Sequence, residues 1–259
     1  LDWLAQAVQS VLSQSYAKLE LCIADDNSPD PAVRRYLEDL QKTDARVKCV
    51  FRERNGHISA ATNSALDLAS GEWCLLLDQD DLLAEECLAQ LAGQLTELPE
   101  WIGVVFSDED KVGETDSDDL FSPLFKSGFD PDLLLACNSV SHLGVYRTSV
   151  LRAAGGLRQG VEGAQDHDLC LRLLAEHGPD FFLHLPSIMY HWRQHQESTS
   201  LHQDRKPYLT SNSLKVRVDY ARSLREKKQG QAEILFDPRP GSAFADVSFE
   251  PQEPRPRLL

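Results

Sequence analysis

The chain has 259 residues, 42% of them hydrophobic and 26% charged, the balance of an ordinary globular protein with room for one large domain or two small ones. A formal net charge of −15 weighs against a duplex nucleic-acid binder, which needs a basic face, but not against a nucleotide held through a metal cation. No apolar run approaches the ~20 residues of a membrane span, and the six cysteines, none in a CxxC pair, read as small buried hydrophobes in a reducing compartment.

Leu1, Leu4, Val8, Val11 and Leu12 recur at helical spacing, so the chain opens on an amphipathic helix. "KLELCIADDNSPD" then predicts a short strand ending at Asp25 and Asp26 in an Asn-Ser-Pro turn, and residues 31–41 a helix with proline in its first turn. "RVKCVFRE" is a strand, and "ISAATNSALDLAS" a helix stopped by Gly71. "EWCLLLDQDD" is the next strand, "AEECLAQLAGQL" a helix, and "WIGVVFSDED" a strand ending in carboxylates. Alternating strands and helices predict an α/β domain with a mostly parallel sheet, whose ligand lies beyond the carboxyl ends of the strands.

Beyond residue 112 an acidic loop leads to "PDLLLA", a short helix. "SVSHLGVYRTSVLRAAGG" reads as a strand and a helix ended by Gly155-Gly156. "GAQDHDLCLRLLAEHG" is an amphipathic helix with an acidic start, and "DFFLHLPSIMYHW" two short strands broken at Pro186. A basic-faced helix spans 208–228, and the proline-rich remainder, 230–259, reads as a linker with at most a short edge strand.

Three acidic clusters therefore share one predicted address: Asp25-Asp26, Asp78-Gln79-Asp80-Asp81, and Asp108-Glu109-Asp110. Two aspartates one residue apart on a tight turn can place oxygens on a divalent ion, with oxygen ligands favouring Mg²⁺ or Mn²⁺; a solvated acidic turn is the bland alternative. Asp25 has the alternative of an Asx turn, and Asp81 that of a helix cap. Asp166 and Asp168 either cap a helix start or supply a general base. His191, Trp192, Arg193 and His195 offer a metal ligand, a stacking surface and a cation for phosphate, or a purely structural cluster.

In combination these stretches resemble glycosyltransferase family 2, with a GT-A, Rossmann-like nucleotide-sugar fold, over roughly residues 1–200. The resemblance runs through "SVLSQSYAKLELCIADDNSPD", "NGHISAATNSALDLASGEWCLLLDQDDLL", "FSDEDK", "HLGVYRTSVLRAAGGLRQGVEGAQDHDLCLRL" and "LPSIMYHWRQHQEST". It implies an inverting enzyme of bacterial surface polysaccharide (O-antigen, lipopolysaccharide or capsule) synthesis. Asp166 would be the catalytic base, and Asp25, Asp26, Asp78 and Asn63 would face the donor. Asp80 and His191 would hold Mn²⁺ or Mg²⁺, with His195 competing for that role. Gln165, Asp108, Glu109, Trp192, Arg193 and His195 would contact acceptor or donor. A UDP- or dTDP-sugar donor, a lipid-linked or oligosaccharide acceptor, and a cytoplasmic place at the inner membrane face follow from the same resemblance.

The family's opening strand has no counterpart ahead of Leu1, and the chain starts without Met. This reads as one unit of a longer polypeptide: a glycosyltransferase domain at 1–206, a helix at 207–229 and the linker. A non-catalytic sugar-nucleotide or glycan-binding module of a tandem enzyme, or a metal-dependent phosphohydrolase, are the rival readings.

Overall fold

A computed structural model describes residues 1–114, 120–194, 207–226, 232–238 and 244–251. Helix α1 (Asp2–Leu12) buries Ala7, Val8 and Val11, one face of a helical stripe. Strands β1 (Leu21–Asp25) and β2 (Val47–Phe51) pair in parallel, as the crossover helix α2 (Pro31–Thr43) between them requires. Asp30 caps α2 by accepting from the Ala32 N–H at 2.8 Å, and Pro31 fills the first helical position, where no N–H is needed. Helix α3 (His57–Leu68) follows.

The turn after α3 is held from a distance. Glu20 accepts hydrogen bonds from the Ser70 and Gly71 N–H groups (2.6 Å for Gly71) and from the Ser70 hydroxyl (2.9 Å), and pairs with Lys48. Partial burial works against its charge, yet Lys48 and the turn's donors outweigh that and lower its pKa from 4.5 to about 2. A depressed carboxyl contributes stability above its unfolded pKa and loses it as pH falls through the folded one. Glu20→Gln is accordingly expected to cost roughly 1–3 kcal/mol at pH 7, and the deficit to close in urea melts as pH drops from 4.5 toward 2.

The rest of the chain builds a six-stranded sheet and its cover. In order come β3 (Trp73–Leu75), β4 (Leu82–Leu83), α4 (Cys87–Leu95), β5 (Val104–Val112), β6 (Phe121–Leu124) and α5 (Pro131–Ala136). β7 (Gly144–Arg147), α6 (Thr148–Ala153), α7 (Gln165–His177), β8 (Phe182–Arg193) and α8 (Pro207–Glu226) complete it. The order across the sheet is β3-β7-β5-β8-β4, with β6 also on β5. Alternate residues of β5 feed two cores. Val104 and Phe106 join Tyr146, Leu169 and Leu173 beneath α7, whereas Val105 joins Val145, Leu185, Met189 and residues of α1 and α4. Each such fully buried aliphatic side chain contributes about 1.5–3 kcal/mol.

Four expectations change. The sheet is mixed rather than mostly parallel: β5–β8 run parallel, but β3–β7, β5–β7, β5–β6 and β4–β8 are antiparallel. Strand–helix alternation suggests parallel crossovers, yet short returns such as β5 to β6 reverse the chain. Strand β5 does not stop at its carboxylates, since Asp108, Glu109 and Asp110 lie inside it and are buried. "DFFLHLPSIMYHW" forms one strand, β8, whose register with β5 shifts on either side of Asp108, letting Pro186 sit in an irregularity. In place of a linker, β9 (Ala232–Pro238) and β10 (Ala245–Pro251) form an antiparallel hairpin. Ile234, Phe236 and Val247 pack it against the core under α7, with both prolines at strand ends.

The described cysteines are all free. Burial pushes the Cys87 and Cys170 thiols up to about 12 and those of Cys49 and Cys74 to about 11, so they behave as apolar side chains.

Candidate active site

Beyond β3 the chain turns through Asp78-Gln79-Asp80-Asp81, closed by the Asp81 N–H donating to the Asp78 carbonyl at 3.3 Å. Arg193 holds this turn from behind. Its Nε donates to the Asp80 carbonyl (2.7 Å), and its other nitrogens donate to Gly113 O (2.9 Å) and Gln6 Oε1 (2.7 Å). At 1% exposure Arg193 is a structural brace, which corrects its reading as a cation facing phosphate.

Asp81 is likewise no helix cap. It is 1% exposed, and accepts from the Tyr190 hydroxyl (2.5 Å) and the Arg193 N–H (2.7 Å). Burial, then the Asp78 charge, raise its pKa from 3.8 to about 7 against those two donors. Asp78 is half-buried and stands 3.8 Å from His142 Nε2. Enclosure by protein pushes its carboxyl upward, His142 opposes the shift, and Asp80 and Asp166 add to it. Asp78, Asp81 and His142 offer ligand atoms all within 4.8 Å of one another.

Neither His142 nor Tyr190 stands in a sequence pattern that marks it as a site residue. The His142 ring stacks on Tyr190, with centroids 4.8 Å apart, and lies 5.7 Å from Trp192. The available signal was the alternation in "MYHWR", which sends Tyr190 and Trp192 to one face of β8. His191 is engaged elsewhere on the sheet, its Nδ1 meeting Asp110 at 2.5 Å. This corrects its placement beside Asp80. His195 falls outside the described residues.

Asp166 sits in the first turn of α7, with Asn138 Nδ2 donating to its Oδ2 (2.7 Å) and the His167 N–H to its Oδ1 (2.9 Å). Its neighbour Asp168 is wholly structural: 3% exposed, it pairs with Arg158 (2.6 Å) and Arg172 (2.8 Å). Gln165 turns back to accept from the Gly163 N–H at 2.6 Å.

Several expected contacts prove internal. Asp108 accepts from His184 Nε2 (2.7 Å) and the Lys126 N–H (2.8 Å), and Glu109 faces Lys126 at 3.7 Å, so both carboxylates have partners within the chain. Asn63 joins α3 to Leu157 through both ends of its amide, each at 2.8 Å, and is committed to that bridge rather than to a donor. A Cβ on Gly156 (φ +69°) would run into the Asn63 Oδ1, which explains glycine there. Asp25 and Asp26 keep partners local to the end of β1. Asp25 accepts from the Ser28 N–H (3.1 Å), forming the Asx turn, and Asp26 accepts from Arg52 Nε (2.7 Å) and the Gly56 N–H (3.0 Å).

The model of the family "Glycosyl transferase family 2" matches residues 1–155, more than half of the chain, and the chain belongs to that family. It is 32% identical over 192 residues to the O-antigen biosynthesis protein RfbC of Myxococcus xanthus, covering 74% of this chain and 15% of that protein. The curated relatives are much longer, and the chain spans between 15% and 28% of three of them. Its fold matches S. aureus TarS 1–349 in complex with UDP-GlcNAc (TM-score 0.62, 16% identity, 87% of this chain and 67% of that one). It also matches the mannosyltransferase PcManGT from Pyrobaculum calidifontis in complex with GDP-Man and Mn²⁺ (TM-score 0.53, 19% identity, 83% and 60%). Both likenesses establish the GT-A fold.

Proposed function

We propose that this chain transfers a sugar, with inversion, from a nucleoside-diphosphate donor to a saccharide hydroxyl in the synthesis of a bacterial surface polysaccharide. The observation that carries this reading is the meeting of Asp78, Asp81 and His142 within 4.8 Å of one another, with Asp166 opening α7, on the fold of this family.

Asp166 is the base: its carboxylate, oriented by Asn138 and the His167 N–H, accepts the acceptor hydroxyl's proton as that oxygen attacks the anomeric carbon. The bond to the nucleoside diphosphate breaks on the opposite face. The Asp78 and Asp81 carboxylates, held this closely, repel one another until a cation neutralises them, and two carboxylate oxygens with one imidazole nitrogen suit Mn²⁺ or Mg²⁺. Asp78, Asp81 and His142 would hold that ion, with Asp80 beside it. Bound there, a divalent cation supplies charge stabilisation for the leaving diphosphate. Trp192, beside His142, offers an apolar ring to a sugar face, and Asp25 and Asp26 are the candidates for the nucleoside side.

A UDP- or dTDP-sugar donor, a lipid-linked or oligosaccharide acceptor, and work at the inner face of the inner membrane complete the proposal. No helix among the described residues is long and apolar enough to cross a membrane. A screen of nucleotide sugars with Mn²⁺ on the full-length protein, reading thermal shift and diphosphate release, tests it. One donor class is expected to raise Tm only with the cation and to release diphosphate faster with acceptor. Release that ignores acceptor would make the protein a phosphohydrolase, and binding without release a glycan module.

A further inference from the structure

Beside the site lies a buried ion pair that the transfer mechanism does not use. Glu109 and Lys126 have side chains 8% and 6% exposed, with Oε2 and Nζ 3.7 Å apart. Removing two charges from water costs several kcal/mol, and apolar residues of the same size would fill the space as well or better, so stability alone is a poor reason for the pair.

Its hydrogen bonds have one target. The Glu109 carboxylate accepts from the His142 N–H. The Lys126 ammonium donates to the His142 carbonyl at 2.6 Å and to the Val140 carbonyl at 3.1 Å. His142 is therefore gripped at both of its backbone polar groups by opposite charges. Lys126 is itself fixed, since its own N–H donates to Asp108, whose carboxylate also meets His184. The Glu109 charge also faces the ring: its Oε2 is 3.9 Å from Nδ1, beyond a direct hydrogen bond, while Nε2 is 3.8 Å from Asp78 on the other side. Stacking on Tyr190 leaves the ring little freedom to turn.

We infer that Glu109 and Lys126 are positioning residues that clamp His142 opposite Asp78 and Asp81, with Glu109 selecting the tautomer that carries its proton on Nδ1. Nε2 then presents its lone pair toward Asp78. A carboxylate behind a ligating imidazole fixes ring orientation and raises its basicity, and loss of such a partner typically weakens metal binding 10–100-fold. The inference rests on the cation seat proposed above, and its tests separate the two.

The first test needs no metal. In the metal-free wild-type chain at pH 8, one-bond and long-range ¹H–¹⁵N correlations of the His142 imidazole, assigned by their loss in His142→Gln, are expected to show the Nδ1–H tautomer. An Nε2–H tautomer overturns the inference.

The second test uses Glu109→Gln/Lys126→Met, which removes both charges at nearly constant volume and leaves no single charge stranded. With the fold verified by circular dichroism, its Kd for Mn²⁺, read from the electron paramagnetic resonance signal of free aqueous Mn²⁺, is expected to rise at least tenfold. A folded double variant whose Kd stays within twofold of wild type overturns the inference. Should wild type itself bind no Mn²⁺, the cation seat falls, and the tautomer still decides the clamp.

Discussion

Asp166→Asn lowers sugar transfer by about 10²–10⁴, the range that a positioned general base contributes, while leaving donor binding in place. Asparagine keeps the shape of aspartate and an oxygen to accept from the His167 N–H, so the first turn of α7 retains its contact. What disappears is the capacity to take a proton. Diphosphate release under saturating donor and acceptor reads the rate, and a donor-induced thermal shift reads binding. Transfer at the wild-type rate would remove Asp166 from the mechanism. Asp168→Asn serves as the contrast two residues away. It breaks a buried pairing with Arg158 and Arg172 and is expected to destabilise the fold by about 3–5 kcal/mol.

The second large effect runs in opposite directions with and without metal. The carboxyl of Asp81 titrates at about 7 in the folded chain against an ordinary 3.8. Between those values the unfolded chain has lost the proton and the folded chain retains it, so this group's contribution to stability falls as pH rises toward 7 and stays low above it. Asp81→Asn removes that penalty. The metal-free variant is expected to be more stable than wild type at pH 8 by roughly 3 kcal/mol, an advantage that vanishes near pH 4. Its stabilisation by Mn²⁺, expected to be large in wild type at pH 8 and weaker at pH 6, is expected to be lost. Thermal melts at both pH values, with and without Mn²⁺, check this. A variant less stable than wild type at pH 8 would refute the picture of a crowded, metal-awaiting carboxylate.

Much of the secondary structure was legible because it depends on neighbours in sequence. The stripe of Ala7, Val8 and Val11, the proline entering α2, and the apolar runs of β1 and β2 are local signals, and the observed elements lie within a few residues of their expected ends. The carboxylate turn after Leu77 was legible for the same reason. Strand direction was not. An alternation of apolar and polar segments says that a strand exists, but not which neighbour it joins, and the antiparallel pairings of β3, β4 and β6 follow from contacts across the sheet. The tail's proline content likewise concealed a hairpin whose Ile234 and Phe236 find an apolar partner only once the core is assembled.

The sequence by itself determined which chemistry is present: acidic residues after apolar strands, an aspartate at the head of α7, and an overall negative charge that weighs against duplex nucleic acid. Only the tertiary structure decided which of those groups face one another. Asp108, Glu109 and Asp110 resemble the carboxylates of the turn on paper, yet each is enclosed with its own cation or imidazole. Conversely, His142 and Tyr190 carry no pattern of their own in the chain, and come to Asp78 and Asp81 from 64 and 109 residues away respectively. The physical reason is that a side chain's face follows from a period of two along its own strand, while its electrostatic surroundings are set by strands paired through non-local hydrogen bonds. Between His142 and His191 that difference separates an imidazole beside Asp78 from one engaged with Asp110.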